Sequence, residues 1–253
     1  MNLKKITLVV VLVLLAVISF TKLAPWAANP QNHVHAIEQT DEKINTVMTL
    51  SGGAAATSAT LSLLPGDMCT PLSEQLAELA KYFLIILSAL YLEKFMIGIA
   101  GYITFSIFIP LALLIFCGVI IFGKNNWINV AIKIALTGFV IFAIVPASVK
   151  LTDMVYQTQA ERVNAAVEEY NNLDIEENEG GGILGELASI SNSTIEKVTT
   201  FISDLMESLA VMIVTACIIP ILVLVVLIWI VKTLFTSNVF TLDKDTLDAL
   251  RHI

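Results

Sequence analysis

Leu79-Ala-Lys-Tyr-Phe-Leu-Ile-Ile-Leu-Ser-Ala-Leu-Tyr-Leu-Glu-Lys-Phe-Met-Ile-Gly-Ile99 is the stretch on which the architecture turns. Its apolar centre, Tyr82 to Leu92, covers only about half of the ~30 Å hydrocarbon core of a bilayer, and Glu93 and Lys94 follow it directly. Two readings compete. In one the stretch crosses the membrane with two ionisable residues in or beside it; in the other it is the interior of a helical bundle in water.

Outward from it lie apolar runs of unambiguous length. Tyr102 to Phe122, Ile128 to Val149 and Leu209 to Val231 each come close to the roughly 20 residues that a crossing needs. The N-terminus reads Lys4, Lys5, then Ile6 to Phe20 without a charge, which fits a first span closing near Pro25 with Trp26 in the interfacial belt. Cleavage after Ala27 or Ala28 would put Pro25 or Trp26 at the −3 position, where a signal peptidase wants a small residue, so the segment is expected to remain as an anchor.

Basic residues in short loops mark the cytoplasmic side. With Lys4 and Lys5 inside and four spans, Lys124 in the turn 123–127 and the tail bearing Lys232, Lys244 and Arg251 are all cytoplasmic. A fifth span through Leu79–Ile99 reverses Lys124 and the tail, and places Glu93 and Lys94 at a cost of about 2.5 to 3.5 kcal/mol each near the membrane centre. Four spans are therefore expected, with five as the alternative.

The organisation that follows is all-α: transmembrane helix 1 over 1–25, an extracytoplasmic helical hairpin over 26–101, spans over 102–122 and 128–149 joined by 123–127, an acidic second hairpin over 150–208, a last span over 209–232 and a cytoplasmic tail over 233–253. In the second hairpin Tyr156, Val163 and Tyr170 recur every seven residues, and Leu184, Leu187, Ile195, Val198, Ile202, Leu205 and Leu209 step by three and four. Glu176-Glu177-Asn178-Glu179-Gly180-Gly181-Gly182 separates them as a tip in which no helix is stable.

The first hairpin has a helix start at Thr40-Asp41-Glu42-Lys43, a small-residue run Ser51 to Ala59 suited to close helix contact, a stop at Pro65-Gly66-Asp67, and a restart at Thr70-Pro71. From there one helix, bent at Gly98 and Gly101, is expected to lead into the second span. Tyr82 to Leu92, apolar all round, is then the buried centre of an antiparallel bundle formed by the two hairpins.

Composition agrees with a membrane protein: hydrophobic residues are 57% of 253 and charged ones 14%, and the mean hydropathy is +0.83. The net charge of −8, with acids crowded between Asp153 and Glu207, argues against nucleic acid as a partner. Cys69, Cys117 and Cys217 have no paired spacing, so neither a disulfide framework nor a zinc site is implied.

Few residues invite a functional role, and each has a plainer one. Glu93 and Lys94 would form a charge relay inside a span, yet neighbours on a helix point about 100° apart, so anchoring at the membrane edge is the simpler reading. Lys133 can snorkel from the third span to the cytoplasmic interface, with a pore or lipid-headgroup contact as the alternative. Asp67 suits a turn, or partner contact at a bundle tip. Pro110, Pro146 and Pro220 interrupt spans but bring no acidic or amide residue with them into 102–122 or 209–231. His33-x-His35 lacks a third ligand nearby.

No catalytic constellation and no cofactor motif stands out. The expected function is a non-catalytic interaction or scaffold component working through the helical ectodomain, with the lipid bilayer and a second copy or another membrane protein as partners; a subunit of an oligomeric channel or transporter is the alternative. The style of spans and loops is that of a bacterial plasma-membrane protein with both termini cytoplasmic.

Overall fold

The computed structural model describes residues 3–63, 69–122, 126–172 and 192–236, and these are helical almost throughout. They form α1 (Leu3–Ile18), α2 (Ala24–Ala28), α3 (Val34–Ser62), α4 (Thr70–Ile103), α5 (Ile109–Phe122), α6 (Asn126–Thr158), α7 (Ala160–Asn172), α8 (Asn192–Ile213) and α9 (Ile219–Thr236). Among the described residues four helical stretches are long and apolar enough to cross a membrane: Lys5–Ala28, Thr70–Phe122, Trp127–Thr158 and Ile195–Thr236. The chain is thus an all-α, multi-pass membrane protein.

Between α1 and α2, α4 and α5, and α8 and α9 the helix does not stop but widens into a π segment: Ser19–Leu23, Thr104–Phe108 and Val214–Ile218. All three have one cause. Each ends one residue before a residue that precedes proline, namely Pro25, Pro110 and Pro220. Proline lacks an N–H and its ring collides with the carbonyl four residues back. The wider turn relieves the collision by letting Ala24, Ile109 and Ile219 donate to the carbonyls of Ser19, Thr104 and Val214, five residues behind. Pro146 lies inside α6 without such a segment, and nothing in the structure explains the difference.

The helix does not break between Ile99 and Tyr102: α4 runs unbroken to Ile103 and passes through the π segment into α5, so Leu79–Ile99 and Tyr102–Phe122 belong to one continuous helical stretch. Gly98 and Gly101 allow close approach of the chain. A Cβ on Gly101 would lie 2.7 Å from the Ala27 carbonyl oxygen, and one on Gly98 would lie 3.2 Å from that of Ala28.

The chain divides into two units, of which one comprises 1–37, 94–148 and 222–253. In it α1 packs along α5, where the Ser19 hydroxyl donates to the Phe105 carbonyl at 2.8 Å. Thr104 donates to the Gly138 carbonyl at 3.0 Å, and Phe105 meets Phe142 edge to face at 5.3 Å. Small contact residues and hydroxyls bonded to backbone are how helices associate where apolar surface gains nothing by leaving its solvent. Large side chains such as Leu14, Phe20, Leu114, Phe139 and Trp229 face outward, as they should if that solvent is lipid.

The other unit comprises 38–93 and 149–221 and is built around one apolar core. Val47, Leu50, Leu76, Phe83, Leu90, Val163, Phe201 and Leu205 are fully buried within one cluster. Its pairings fix the directions of the helices. Ser51 and Ser58 of α3 donate to Ala80 and Ser73 carbonyls of α4, so these two run antiparallel. Arg162 of α7 pairs with Glu207 of α8 and Tyr170 stacks on Phe201, again in opposite directions. Gly53 lies under the Tyr170 ring, where a Cβ would come within 2.7 Å. The Ser51–Ala59 run therefore serves close helix packing.

Two features of this unit depart from expectation. The helix expected to start at Thr40 begins at Val34, because Asn29 already caps the preceding 3₁₀ turn by accepting from the Gln31 N–H, and Thr40 is buried mid-helix. And Tyr82–Leu92 is not buried all round: Phe83, Ile86 and Leu90 are within the core, while Leu84, Ile85 and Leu92 are exposed. The apolar run beginning at Leu209 is partly absorbed as well, since Met212 and Ala216 lie in the same core.

Candidate functional site

Among the large side chains that are almost completely buried, one is a lysine. Lys43 of α3 is 2% exposed. It stands in step with Val47, Leu50 and Ala54, the buried stripe of α3, so the helix that supplies apolar side chains to the core also drives an ammonium into it. An unpaired charge there would be prohibitively costly, and three helices supply what compensates it.

From α6 comes Asp153, with Oδ1 3.8 Å from Lys43 Nζ. Its other oxygen accepts a 2.6 Å hydrogen bond from the Gln39 side-chain amide, one turn before Lys43 on α3, which orients the carboxylate. The Tyr156 ring, one turn further along α6, lies under the ammonium at 5.5 Å from its centroid and adds a cation–π contact. From α4 comes Glu93, in step with Ile86, Leu90 and Ile97, the buried stripe of that helix. Both its carboxylate oxygens are shielded from solvent and accept no hydrogen bond among the described residues, and the opposite charge that acts on it is Lys43.

Burial holds the Lys43 pKa below the usual lysine value of 10.5, while Glu93, then Asp153, then Glu42 act against that lowering. Two carboxylates and one ammonium make the cluster acidic by one charge when all are ionised. What such an arrangement does is mechanical before it is chemical: α3, α4 and α6 cannot slide or rotate past one another without drawing the buried ammonium away from its carboxylates.

The structure separates the two residues that sequence placed together. Glu93 joins Lys43, whereas Lys94 is half-buried on another face of α4, as the 100° between neighbours requires. Lys133 donates to the Phe235 carbonyl at 2.9 Å, in the last turn of α9, where a cation suits both the unsatisfied carbonyls and the negative end of the helix dipole. Asp67 lies outside the described residues. His33 donates from Nε2 to the Ala27 carbonyl at 2.8 Å, and no group of three or more His, Cys, Asp or Glu is placed to hold a metal among the described residues.

Lys43 and Asp153 were not singled out from sequence. Lys43 reads as the solvated end of Thr-Asp-Glu-Lys, a helix start. The signal that would have found it is phase: it precedes Val47, Leu50 and Ala54 by four, seven and eleven residues, the spacing of one helical stripe.

No protein-family model matches this chain, and neither does any curated protein or solved structure.

Proposed function

We propose that this chain works without catalysis of its own, as an interaction or scaffold component of a bacterial plasma membrane. Spans hold it there with both termini in the cytoplasm, and the hairpins 26–101 and 150–208 form a helical ectodomain that meets a partner. The observation that carries this reading is the double-faced α4. Phe83, Ile86 and Leu90 serve its own core, while Leu84, Ile85 and Leu92 on the opposite side are 53%, 62% and 61% exposed.

Lipid cannot account for that second face throughout. Measured along the helix, Tyr82 to Phe122 covers about 60 Å at 1.5 Å per residue, twice the ~30 Å of a hydrocarbon core. If Tyr102–Phe122 fills the bilayer beside α1, the apolar side chains before Lys94 stand in water and call for a protein surface. The charge cluster supports the same assignment, because it keeps α4 from turning that face inward. A channel or transporter subunit gains nothing from Lys133, which is engaged at a helix terminus.

Side-specific labelling tests the reading. In a variant lacking Cys69, Cys117 and Cys217, cysteine is placed singly at Lys124 and at Asn45, and intact cells are treated with a membrane-impermeant maleimide. Labelling of Asn45→Cys from outside and of Lys124→Cys only after the cytoplasm is opened is the expected result. The reverse pattern overturns the ectodomain.

A further inference from the structure

We infer that the exposed face of α4 is a self-association seam, along which α4 of one copy packs in parallel against α4 of a second. The inference rests on the ectodomain reading and deepens it by naming the partner. Its basis is spacing. Ile85, Ser88, Leu92 and Phe95 follow one another by three, four and three residues, the a and d positions of a coiled coil, and all four are exposed. Leu84 and Tyr91, 53% and 42% exposed, occupy the flanking positions that widen such a seam.

The same helix already satisfies one apolar stripe within its own chain, and the second stripe, at regular heptad spacing, is left uncovered among the described residues. No charge interrupts it between Tyr82 and Leu92, and Glu78 and Lys81 take over the same two positions one heptad earlier. The seam therefore has a beginning. Ser88, its one polar member, already donates its hydroxyl to the Leu84 carbonyl at 3.0 Å within its own helix, so covering it strands no donor.

A second copy fits this face better than an unrelated partner, for two reasons. Copies in one membrane share one orientation, so a rotation axis along the membrane normal sets α4 parallel to α4, and like residues meet: Leu92 faces Leu92, and Ser88 faces Ser88 with room for close approach. No like charges are brought together by that symmetry within the seam. The area is also adequate. With ~150–250 Å² for an aromatic side chain and somewhat less for Leu or Ile, the exposed fractions amount to roughly 600 Å² per copy, most of the ~800 Å² per partner of a stable interface.

Cysteine crosslinking of the full chain in native membranes tests the inference. In the background lacking the three native cysteines, Ser88→Cys and the α3 control Asn45→Cys are oxidised under identical conditions. Ser88→Cys is expected to give a disulfide dimer of twice the chain mass, about tenfold more of it than Asn45→Cys, because an assembled seam holds the two thiols at a high effective concentration. Adding Ile85→Asn and Leu92→Asn on the solvent side of α4 should bring the yield down to that of the control.

Equal yields at Ser88 and Asn45, or a chain that stays monomeric at both, overturn the seam. A Ser88→Cys product of any other mass assigns the face to a different protein and also overturns it. Failure of the underlying reading has its own signature: in the Ile85→Asn, Leu92→Asn form, a cysteine at Ser88 that no aqueous maleimide reaches from either side lies in lipid. A cysteine that is labelled from outside yet never crosslinks leaves the ectodomain standing and removes only the pairing.

Discussion

Helices α3 and α4 lie antiparallel in one unit and solve the same problem in opposite ways. The first has one buried stripe, into which a lysine intrudes, and turns charged or polar residues such as Glu42 and Asn45 outward. The second buries Leu76, Phe83, Ile86 and Leu90 and then shows leucine, isoleucine and phenylalanine to the outside too. Mean apolarity would rank α4 as the better membrane helix and α3 as the better soluble one, yet both contribute to one core. What separates them is how many faces need covering, and only α4 has more than its own chain can cover.

The comparison breaks most visibly at Phe83. Replacing it by alanine removes a fully buried ring from the core and should cost about 3–5 kcal/mol in denaturant unfolding of the purified protein. Ile85→Ala, two residues away on the exposed face, should stay within about 0.5 kcal/mol for the dissociated chain. Similar losses at both positions would mean that the two faces are not distinct.

Asp153→Asn is nearly as severe, at roughly 3 kcal/mol, because the buried Lys43 ammonium would lose the carboxylate beside it. Adding Lys43→Met should recover most of that loss. A single variant as stable as the parent would show that Asp153 compensates nothing. On α3, Gly53→Ala should cost about 1–3 kcal/mol, since its Cβ would meet the Tyr170 ring, whereas Gly52→Ala on the same turn has open space and should be neutral or slightly stabilising.

The smallest effect is a pH dependence. A lysine whose folded-state pKa lies below its unfolded 10.5 takes up a proton more readily when unfolded, so stability rises with pH between those two values and levels off above them. Unfolding of the parent followed up to about pH 10.5 should therefore show a rise that the variant Lys43→Met, Glu93→Gln, Asp153→Asn lacks. Parallel curves would remove Lys43 as the titrating group.

Periodicity made much of the fold legible. Tyr156, Val163, Tyr170 and Val198, Ile202, Leu205 announce amphipathic helices because one side of each packs on protein and the other carries polar residues. That signal fails where both sides are apolar. Tyr82–Leu92 and Leu209–Ala216 read alike whether their neighbours are acyl chains or side chains. The charge cluster was half legible: Glu93 was marked by its apolar surroundings, whereas Lys43 was hidden among Asp41 and Glu42, which look like a solvated helix start. The π segments were not legible, because proline announces a disturbance without specifying whether the chain kinks, stops or widens.

Those widened turns also act as counters. Each admits one residue more than an α turn would, which rotates everything downstream by roughly 100° relative to an uninterrupted helix. A stripe that runs along α4 up to Ile103 does not emerge on the same side of α5. Self-pairing through α4 therefore has a built-in end point at Thr104, and removal of a single residue there would extend or misdirect it.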